Sequence, residues 1–254
     1  MSMRVFAKAL VAVAVVVVAC LTIRGLLKSP GLEIKTIEVR GPVEASGLQE
    51  VTRTVENSLD GNILTADIGR VKAALETIPW VRSAGVSRLW PDSLYIEIER
   101  HRSVAIWEDG RLVSDAGVLF VSNDEPIERL LQLPAFSGDP QYAPQAVKYL
   151  PIFNETAAKV GARVKAVKAT FRGSWSVVLE SAKFFSLQIE LGRALTPESP
   201  VNHLRQVVDN LDRAAEVLNV YPERIDARYR NAFAAQLPAQ YLAPRSGRAV
   251  VKRK

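Results

Sequence analysis

The pattern of apolar and polar residues begins with an apolar block that precedes two folded regions. Residues 9–23 form an almost unbroken apolar run that extends past Gly25 to Leu27. The run covers about 19 residues, close to the roughly 20 that a helix needs to cross a bilayer. In lipid every backbone group must be hydrogen-bonded within the segment, which favours a helix even for a valine-rich run. We therefore predict a transmembrane helix over residues 9–27, preceded by a short N-terminus of residues 1–8.

Two alternatives to an uncleaved anchor remain open. Arg4 and Lys8 precede the run, as in a cleaved signal peptide, although no small-residue cleavage site followed by polar residues appears. The sequence VVAC at 17–20 is typical of a lipoprotein signal, in which Cys20 would carry the lipid, but the chain stays apolar after Cys20. Positive charges are nearly balanced on the two sides of the run, so charge alone does not fix its orientation.

The first folded region, residues 33–103, has the pattern of a small two-layer domain. Isoleucine and valine alternate with charged residues where strands are predicted, and apolar residues recur at helical spacing between them. The predicted elements are a strand at 34–41, helices at 46–59 and 67–79, and strands at 80–90 and 93–107. This β-α-α-β-β order predicts an α+β domain with both helices on one face of the sheet.

The second region, residues 104–237, is predicted to be mostly β with covering helices. Asp109-Gly110 lies between apolar runs and indicates a hairpin. Strands are predicted at 164–173, 175–181, 185–192 and 224–237, with Phe185, Leu187, Ile189 and Leu191 on one face. Helices are predicted at 147–161, interrupted at Pro151, and at 197–218, which carries a single apolar stripe. Residues 238–254 are predicted to be a disordered basic tail.

Composition and charge narrow the function without naming it. The chain has 254 residues, 48% hydrophobic and 24% charged, which is ordinary for a globular protein. A net charge of +6 is only mildly basic, and no folded surface interleaves basic and aromatic residues as nucleic-acid binding would require. The single cysteine lies in the apolar run, so no intramolecular disulfide forms.

The sequence shows no recognisable catalytic, cofactor or metal site. His101 and His203 stand apart from reactive partners and are expected to face solvent. No cysteine or histidine pair has metal-ligand spacing, and no nucleophile elbow or phosphate-binding glycine loop occurs. The soluble part is therefore interpreted as a binding module and not as an enzyme.

A series of short segments between residues 9 and 237 is specific in combination, although no segment is specific alone. After the apolar run they are IKTIEVRG at 34–41, PWVRSAGVSRLWPDSLYIEIERHRSVAIW at 79–107, LPAFSGDP at 133–140, RGSWSVVLES at 172–181, LQIELGR at 187–193 and RIDARYRNAFAAQL at 224–237. Together they resemble the FtsQ (DivIB) family of bacterial cell-division proteins. The β-α-α-β-β region resembles the POTRA domain of that family.

The resemblance implies a location and a role. It implies a single-pass inner-membrane protein at the division septum, with a cytoplasmic N-terminus and both domains in the periplasm. It implies a scaffold of the divisome that needs no cofactor, binds an FtsB-like and FtsL-like pair, and helps control septal peptidoglycan synthesis. It further implies that the POTRA domain contacts other division proteins.

The resemblance also implies a site on the last strand, kept as an open edge to which a segment of the FtsB-like partner adds as a further strand. The residues expected at this site are Arg172, Tyr229, Arg230, Asn231, Ala232, Phe233 and Ala235. Two positions depart from many relatives, because Ala232 stands where glycine is frequent and Leu237 where tryptophan is frequent. From the residues alone, Tyr229 is also compatible with an aromatic at the sheet rim, and Arg172 with a solvated strand end.

A second function stays open at this point. POTRA domains also occur in outer-membrane assembly proteins, so a POTRA-type periplasmic chaperone or secretion accessory is the alternative. The two functions differ in what the last strand binds.

Overall fold

The structure is a computed structural model that describes residues 12–18, 32–122, 125–229 and 232–242. Residues 12–18 form a helical segment, α1. The rest of the predicted span 9–27 lies outside the described residues, as do Cys20 and residues 243–254. Within the described ranges, no helix is long and apolar enough to cross a membrane.

The chain divides after His101 into two compact units. The first contains β1 (Thr36–Arg40), α2 (Ala45–Ser58), α3 (Ile68–Leu75), β2 (Val81–Leu89) and β3 (Ser93–Arg100). Its sheet has the order β1-β3-β2, with β1 parallel and β2 antiparallel to β3. The predicted β-α-α-β-β order is confirmed.

The first unit buries one face of its sheet beneath the two helices. Val51 and Val55 of α2 and Val71 and Leu75 of α3 are all fully buried, as is Ile96 of β3. The Asp67 side chain caps α3 by accepting a hydrogen bond from the Arg70 N–H at 3.1 Å. The sequence therefore folds here as its periodicity predicts.

The second unit is built on one sheet of nine strands, counted over the described residues. Its strands are β4 (Ser103–Trp107), β5 (Leu112–Ser114), β6 (Leu119–Phe120), β7 (Ala135–Gly138), β8 (Ala162–Ala169), β9 (Ser174–Ser181), β10 (Leu187–Arg193), β11 (Arg224–Tyr229) and β12 (Ala232–Gln236). Its helices are α4 (Ile127–Leu130), α5 (Ala143–Ala158), α6 (Ser199–Leu218) and α7 (Ala239–Leu242). The strand order is β12-β11-β10-β9-β8-β7-β4-β5-β6.

The long helices α5 and α6 contribute their apolar stripes to the main core of this unit. The predicted stripe of α6 is buried at Val201, Leu204, Val208, Leu211 and Ala215, whereas Leu218, which continues the same spacing, is 36% exposed. The members of the stripe from Val201 to Leu211 belong to one cluster with Trp175, Leu187 and Ile225 of the sheet. The helix ends at Asn219, which adopts a left-handed conformation with φ of 54°.

Several details of the sequence prediction are wrong. The single strand predicted at 93–107 is divided into β3, which ends at Arg100, and β4, which begins at Ser103. Helix α5 begins at Ala143 and continues through Pro151, which lies on its exposed side. Strand β10 begins only at Leu187, and Phe185 is 84% exposed instead of sharing the buried face. Residues 239–242, placed in the predicted tail, form one helical turn.

The packing of α6 predicts a clear difference between two substitutions on the same helix. Leu204→Ala removes a fully buried side chain and should lower the free energy of unfolding by about 2–5 kcal/mol. Val217→Ala, at a position that is 77% exposed, should change it by less than about 0.5 kcal/mol. Urea unfolding followed by circular dichroism measures both. Equal effects of the two substitutions would contradict the packing described here.

Candidate functional site

The segment 224–237 is a hairpin and not the single strand that the sequence predicts. β11 ends at Tyr229, β12 begins at Ala232, and the two strands pair antiparallel, with Tyr229 opposite Ala232. Residues 230 and 231 lie outside the described residues. β11 pairs in parallel with β10, with Glu190 opposite Asp226. If that offset continues, β10 ends level with Tyr229, so β11 reverses where its neighbour stops.

The reversal makes β12 the edge strand of the sheet. β12 is bonded to β11 on one side, and no strand of the described residues lies on its other side. Its residues are mostly exposed, with Ala232, Ala234, Ala235 and Gln236 all in that class. The outer edge of β12 therefore offers backbone N–H and C=O groups together with small side chains.

Phe233 is the exception on this strand. It is half-buried and packs against the core cluster of the second unit. Tyr229, by contrast, is 57% exposed. The sequence prediction places both aromatics in one binding site on a single strand. The hairpin separates them, because Phe233 anchors the edge strand while Tyr229 stands in solvent at its end.

The fold brings Arg172 to the end of the sheet where Tyr229 lies. Arg172 is exposed in the turn before β9, and Ser174 at the start of β9 pairs with Arg193 at the end of β10. The turn and Tyr229 are thus two strands apart, on the order of 10 Å. The Arg172 guanidinium carbon lies 5.2 Å from the centroid of the exposed Phe171 ring. Two predicted residues from distant parts of the sequence thus lie at the same end of the sheet.

A row of charges beside the edge strand was missed by the sequence reasoning. Arg224, Asp226 and Arg228 alternate along β11 and therefore point to the face opposite Ile225 and Ala227. Together with residues 234–236 of β12, their side chains line an open groove. The sequence signal for this row is a charged residue at every second position of β11. The single-strand prediction for 224–237 makes no use of that signal.

The charges of this row are all paired, two of them with each other and the third with a residue of β10. Arg228 Nε and Nη2 donate to the two carboxylate oxygens of Asp226 at 2.8 and 2.6 Å. Arg224 Nη2 donates to Glu190 Oε1 of β10 at 2.9 Å. Gly192 of β10 has φ of +78°, and a β-carbon there would lie 3.0 Å from Arg228 Cγ. This glycine lets the Arg228 side chain lie close against the neighbouring strand.

The ion pair between Arg228 and Asp226 shifts the pKa of both groups. The hydrogen bond from the Arg228 guanidinium lowers the pKa of the Asp226 carboxyl, and burial opposes this only in part. The same bond raises the pKa of Arg228. Both remain charged at neutral pH, so the groove presents fixed charges of both signs to a neighbouring chain.

His101, the last residue of the first unit, and His203 of α6 do not form a reactive centre. Both are half-buried instead of facing solvent, and His203 Nδ1 lies 2.6 Å from the Leu191 carbonyl oxygen, which orients the ring. Across the described ranges, no group of three or more His, Cys, Asp or Glu side chains could hold a metal ion. The geometry at the sheet edge suits recognition of an extended chain.

Comparison with protein families gives two matches. A family model described as "POTRA domain, FtsQ-type" matches residues 32–101. A model described as "Cell division protein FtsQ/DivIB, C-terminal" matches residues 105–228. Together they span most of the chain, and the second ends one residue before Tyr229, so β12 lies beyond it.

Curated relatives match over similar lengths. The chain is 29% identical over 228 residues to the cell division protein FtsQ of Burkholderia pseudomallei, covering 90% of this chain and 89% of the relative. It is 28% identical over 205 residues to that of Allochromatium vinosum, covering 81% and 78%. With that of Nitrosospira multiformis it shares 29% identity over 222 residues, covering 85% and 88%.

The Asp226–Arg228 pair predicts a pH dependence of stability. Because the pKa of Asp226 is lowered in the folded state, its contribution is fully present above the unfolded value of about 3.9. That contribution is lost as the pH falls through the folded value. Asp226→Asn should therefore destabilise the protein at pH 7, and its difference from wild type should shrink below about pH 4. Urea unfolding from pH 7 to pH 3 measures this, and a difference that does not change with pH would contradict it.

Proposed function

The chain belongs to the FtsQ/DivIB family of cell-division proteins, and we propose on this basis that it is a divisome scaffold that binds an FtsB-like and FtsL-like pair through the open edge of β12. In this proposal the FtsB-like partner supplies a strand that extends the nine-stranded sheet. Recruitment of the pair would couple the scaffold to septal peptidoglycan synthesis. The family is one of scaffolds and not a known enzyme family, in keeping with the absence of a recognised catalytic motif in the sequence.

The observation that carries the proposal is the position of β12 at the end of the strand order. An unpaired edge is a ready template for a further strand, and proteins that do not use such an edge usually protect it with charge, proline or a covering element. The sequence AFAAQ of β12 contains neither a charge nor a proline. A partner strand would gain affinity from main-chain hydrogen bonds and specificity from the side chains beside them.

The side chains around the edge suit this mode of binding. The three alanines of β12 leave room for a partner backbone to approach, and half-buried Phe233 holds the strand in place from the core side. Exposed Tyr229 and Arg172 lie at one end of the sheet, where an aromatic contact and an acidic partner residue would fix the register. Arg230 and Asn231 join this proposed site by their place in the sequence, between β11 and β12.

The positions that depart from many relatives also gain a context. Ala232 is exposed opposite Tyr229, and Leu237 is half-buried directly after β12. At neither position does this chain offer the glycine or the tryptophan frequent in the family. Recognition in this protein would therefore depend more on the edge backbone and on Tyr229.

The proposal includes the membrane anchor. Residues 9–27 would form a single span, with residues 1–8 in the cytoplasm and both units in the periplasm at the septum. The apolar run supports the span, and the family supports the orientation that the flanking charges leave balanced. The first unit would contact further division proteins. The FtsQ-type matches of both units favour division over the alternative of a periplasmic chaperone.

Two neighbouring prolines test the edge directly. Successive backbone N–H groups of a strand point to opposite sides. Of the two substitutions Ala234→Pro and Ala235→Pro, one therefore removes an N–H group that faces β11, and the other removes an N–H group that faces outward. The outward proline should keep the wild-type unfolding temperature and weaken binding of the purified FtsB–FtsL pair by about tenfold or more. The inward proline should lower the unfolding temperature. Binding by interferometry and thermal unfolding of the full chain in detergent give the two readouts. A stable proline variant that binds as wild type would refute β12 as the docking edge.

Truncation of the two exposed contacts tests specificity. Tyr229→Ala and Arg172→Ala should each weaken binding by about fivefold or more, because tyrosine and arginine are frequent hot spots. Tyr241→Ala removes a tyrosine that is similarly exposed at 53% and lies outside the edge, so binding should not change. The same interferometry assay measures all three. Equal losses for Tyr229 and Tyr241 would show that Tyr229 is no specific contact.

A further inference from the structure

The turn between β2 and β3 of the first unit exposes apolar side chains. Trp90 is 58% exposed and Leu89 beside it is 43% exposed. The other three tryptophans of the chain, Trp80, Trp107 and Trp175, are exposed by 4% or less. A large aromatic side chain left in solvent costs hydrophobic free energy unless something covers it.

This turn lies where the chain enters the unit. The Lys35 N–H donates to the Asp92 carbonyl at 2.8 Å, and Lys35 Nζ pairs with the Asp92 carboxylate at 3.3 Å. The Ile63 N–H donates to the Leu32 carbonyl at 3.0 Å. Both the turn and the loop around Ile63 are therefore fastened to the first described residues after the apolar run.

One arginine ties the loop and the turn together. Arg88 Nε donates to the Ile63 carbonyl at 2.6 Å, and Arg88 Nη2 donates to the Ala66 carbonyl at 2.7 Å. Leu64, between these acceptors, is 46% exposed. Leu64, Leu89 and Trp90 thus lie at one end of the unit, which we call the entry end.

The length of the connecting segment limits how far this end lies from the proposed span. Four residues, 28–31, separate Leu27 from Leu32. Even fully extended, the path from Leu27 to Leu32 covers at most about 18 Å. The headgroup region that borders the hydrocarbon core is itself roughly 5–8 Å thick. An anchored chain therefore has its entry end within reach of the bilayer surface.

We propose that the entry end rests on the bilayer, with the Trp90 indole in the headgroup region and Leu64 and Leu89 beside it. This inference rests on the proposed anchor at residues 9–27. Tryptophan is enriched at membrane interfaces because its ring is apolar while its N–H can donate to polar groups. The Lys35–Asp92 pair is neutral overall, and the positive charge of Arg88, whose guanidinium donates to the Ile63 and Ala66 carbonyls, suits the level of the lipid phosphates. The contact fixes the orientation of the first unit relative to the membrane.

Lipid-dependent quenching tests this on the full chain reconstituted in liposomes, where no other protein contributes tryptophan. Brominated phosphatidylcholine quenches only tryptophans that touch lipid, and the three other tryptophans are buried. Wild-type emission should fall by up to about one quarter in brominated compared with ordinary lipid, since Trp90 is one of four tryptophans. Trp90→Phe should abolish this loss.

A matched variant places the tryptophan probe at the opposite end of the first unit. Thr77 is exposed near the start of β2, and the strand from Val81 to Leu89 is about 26 Å long. Thr77→Trp combined with Trp90→Phe should show no lipid-dependent loss. Equal quenching of both probes, or none at Trp90, would overturn the inference.

The outcomes also separate this inference from the proposed function. Alkaline carbonate extraction of membranes reports whether the chain is anchored. An anchored chain without quenching at Trp90 overturns the membrane contact alone, and the β12 edge is judged by its own binding assay. A chain that carbonate releases overturns both the anchor and the membrane contact.

Discussion

The parallel pairing of β11 with β10 is the constraint on which the second unit depends. Parallel strands need a crossover, and here α6 supplies it with 20 residues, about 30 Å of helix. Burial of its apolar stripe stabilises the crossover, and Leu204 and Leu211 join Ile189 and Ile225 in one core. With β11 bonded to the outer side of β10, the chain turns outward after Tyr229 and pairs again. β12 therefore becomes the edge of the sheet.

The edge combines two kinds of interaction that would serve recognition differently. Its outward-facing backbone groups recur at every second residue and do not depend on side-chain identity, so they would supply affinity for any extended segment. Tyr229, Arg172 and the charged row of β11 are specific in place and sign, so they would select register and partner. The internal pairing of Arg228 with Asp226 holds this row in a defined geometry. Because these side chains are already held in place, binding would cost less of their conformational entropy.

The two units present their exposed features at defined points of their folds. In the first unit, apolar exposure is concentrated at the entry end, beside the residues that follow the apolar run. In the second, the last strand, β12, forms one edge of the sheet among the described residues. For a single-pass protein, the first feature would face lipid and the second would remain available to another protein. Each feature depends on interactions beside it. At the entry end, Arg88 donates hydrogen bonds to the Ile63 and Ala66 carbonyls. At the edge strand, Phe233 packs against the core.

The sequence by itself determined what periodicity and family motifs encode. The β-α-α-β-β order, the stripe of α6 and the cap at Asp67 follow from local patterns, and each is found in the fold. Local patterns do not show where a strand ends relative to its neighbour in the sheet. They therefore predict one strand where the structure has a hairpin, with Tyr229 paired to Ala232. The placement of Arg172 and Tyr229 at one end of the sheet, the separation of Phe233 from Tyr229, and the pairing of Arg224 with Glu190 each involve residues that are distant in sequence or set apart by that turn. Only the tertiary structure decided them, because register between strands depends on the packing of α6 and the sheet as a whole.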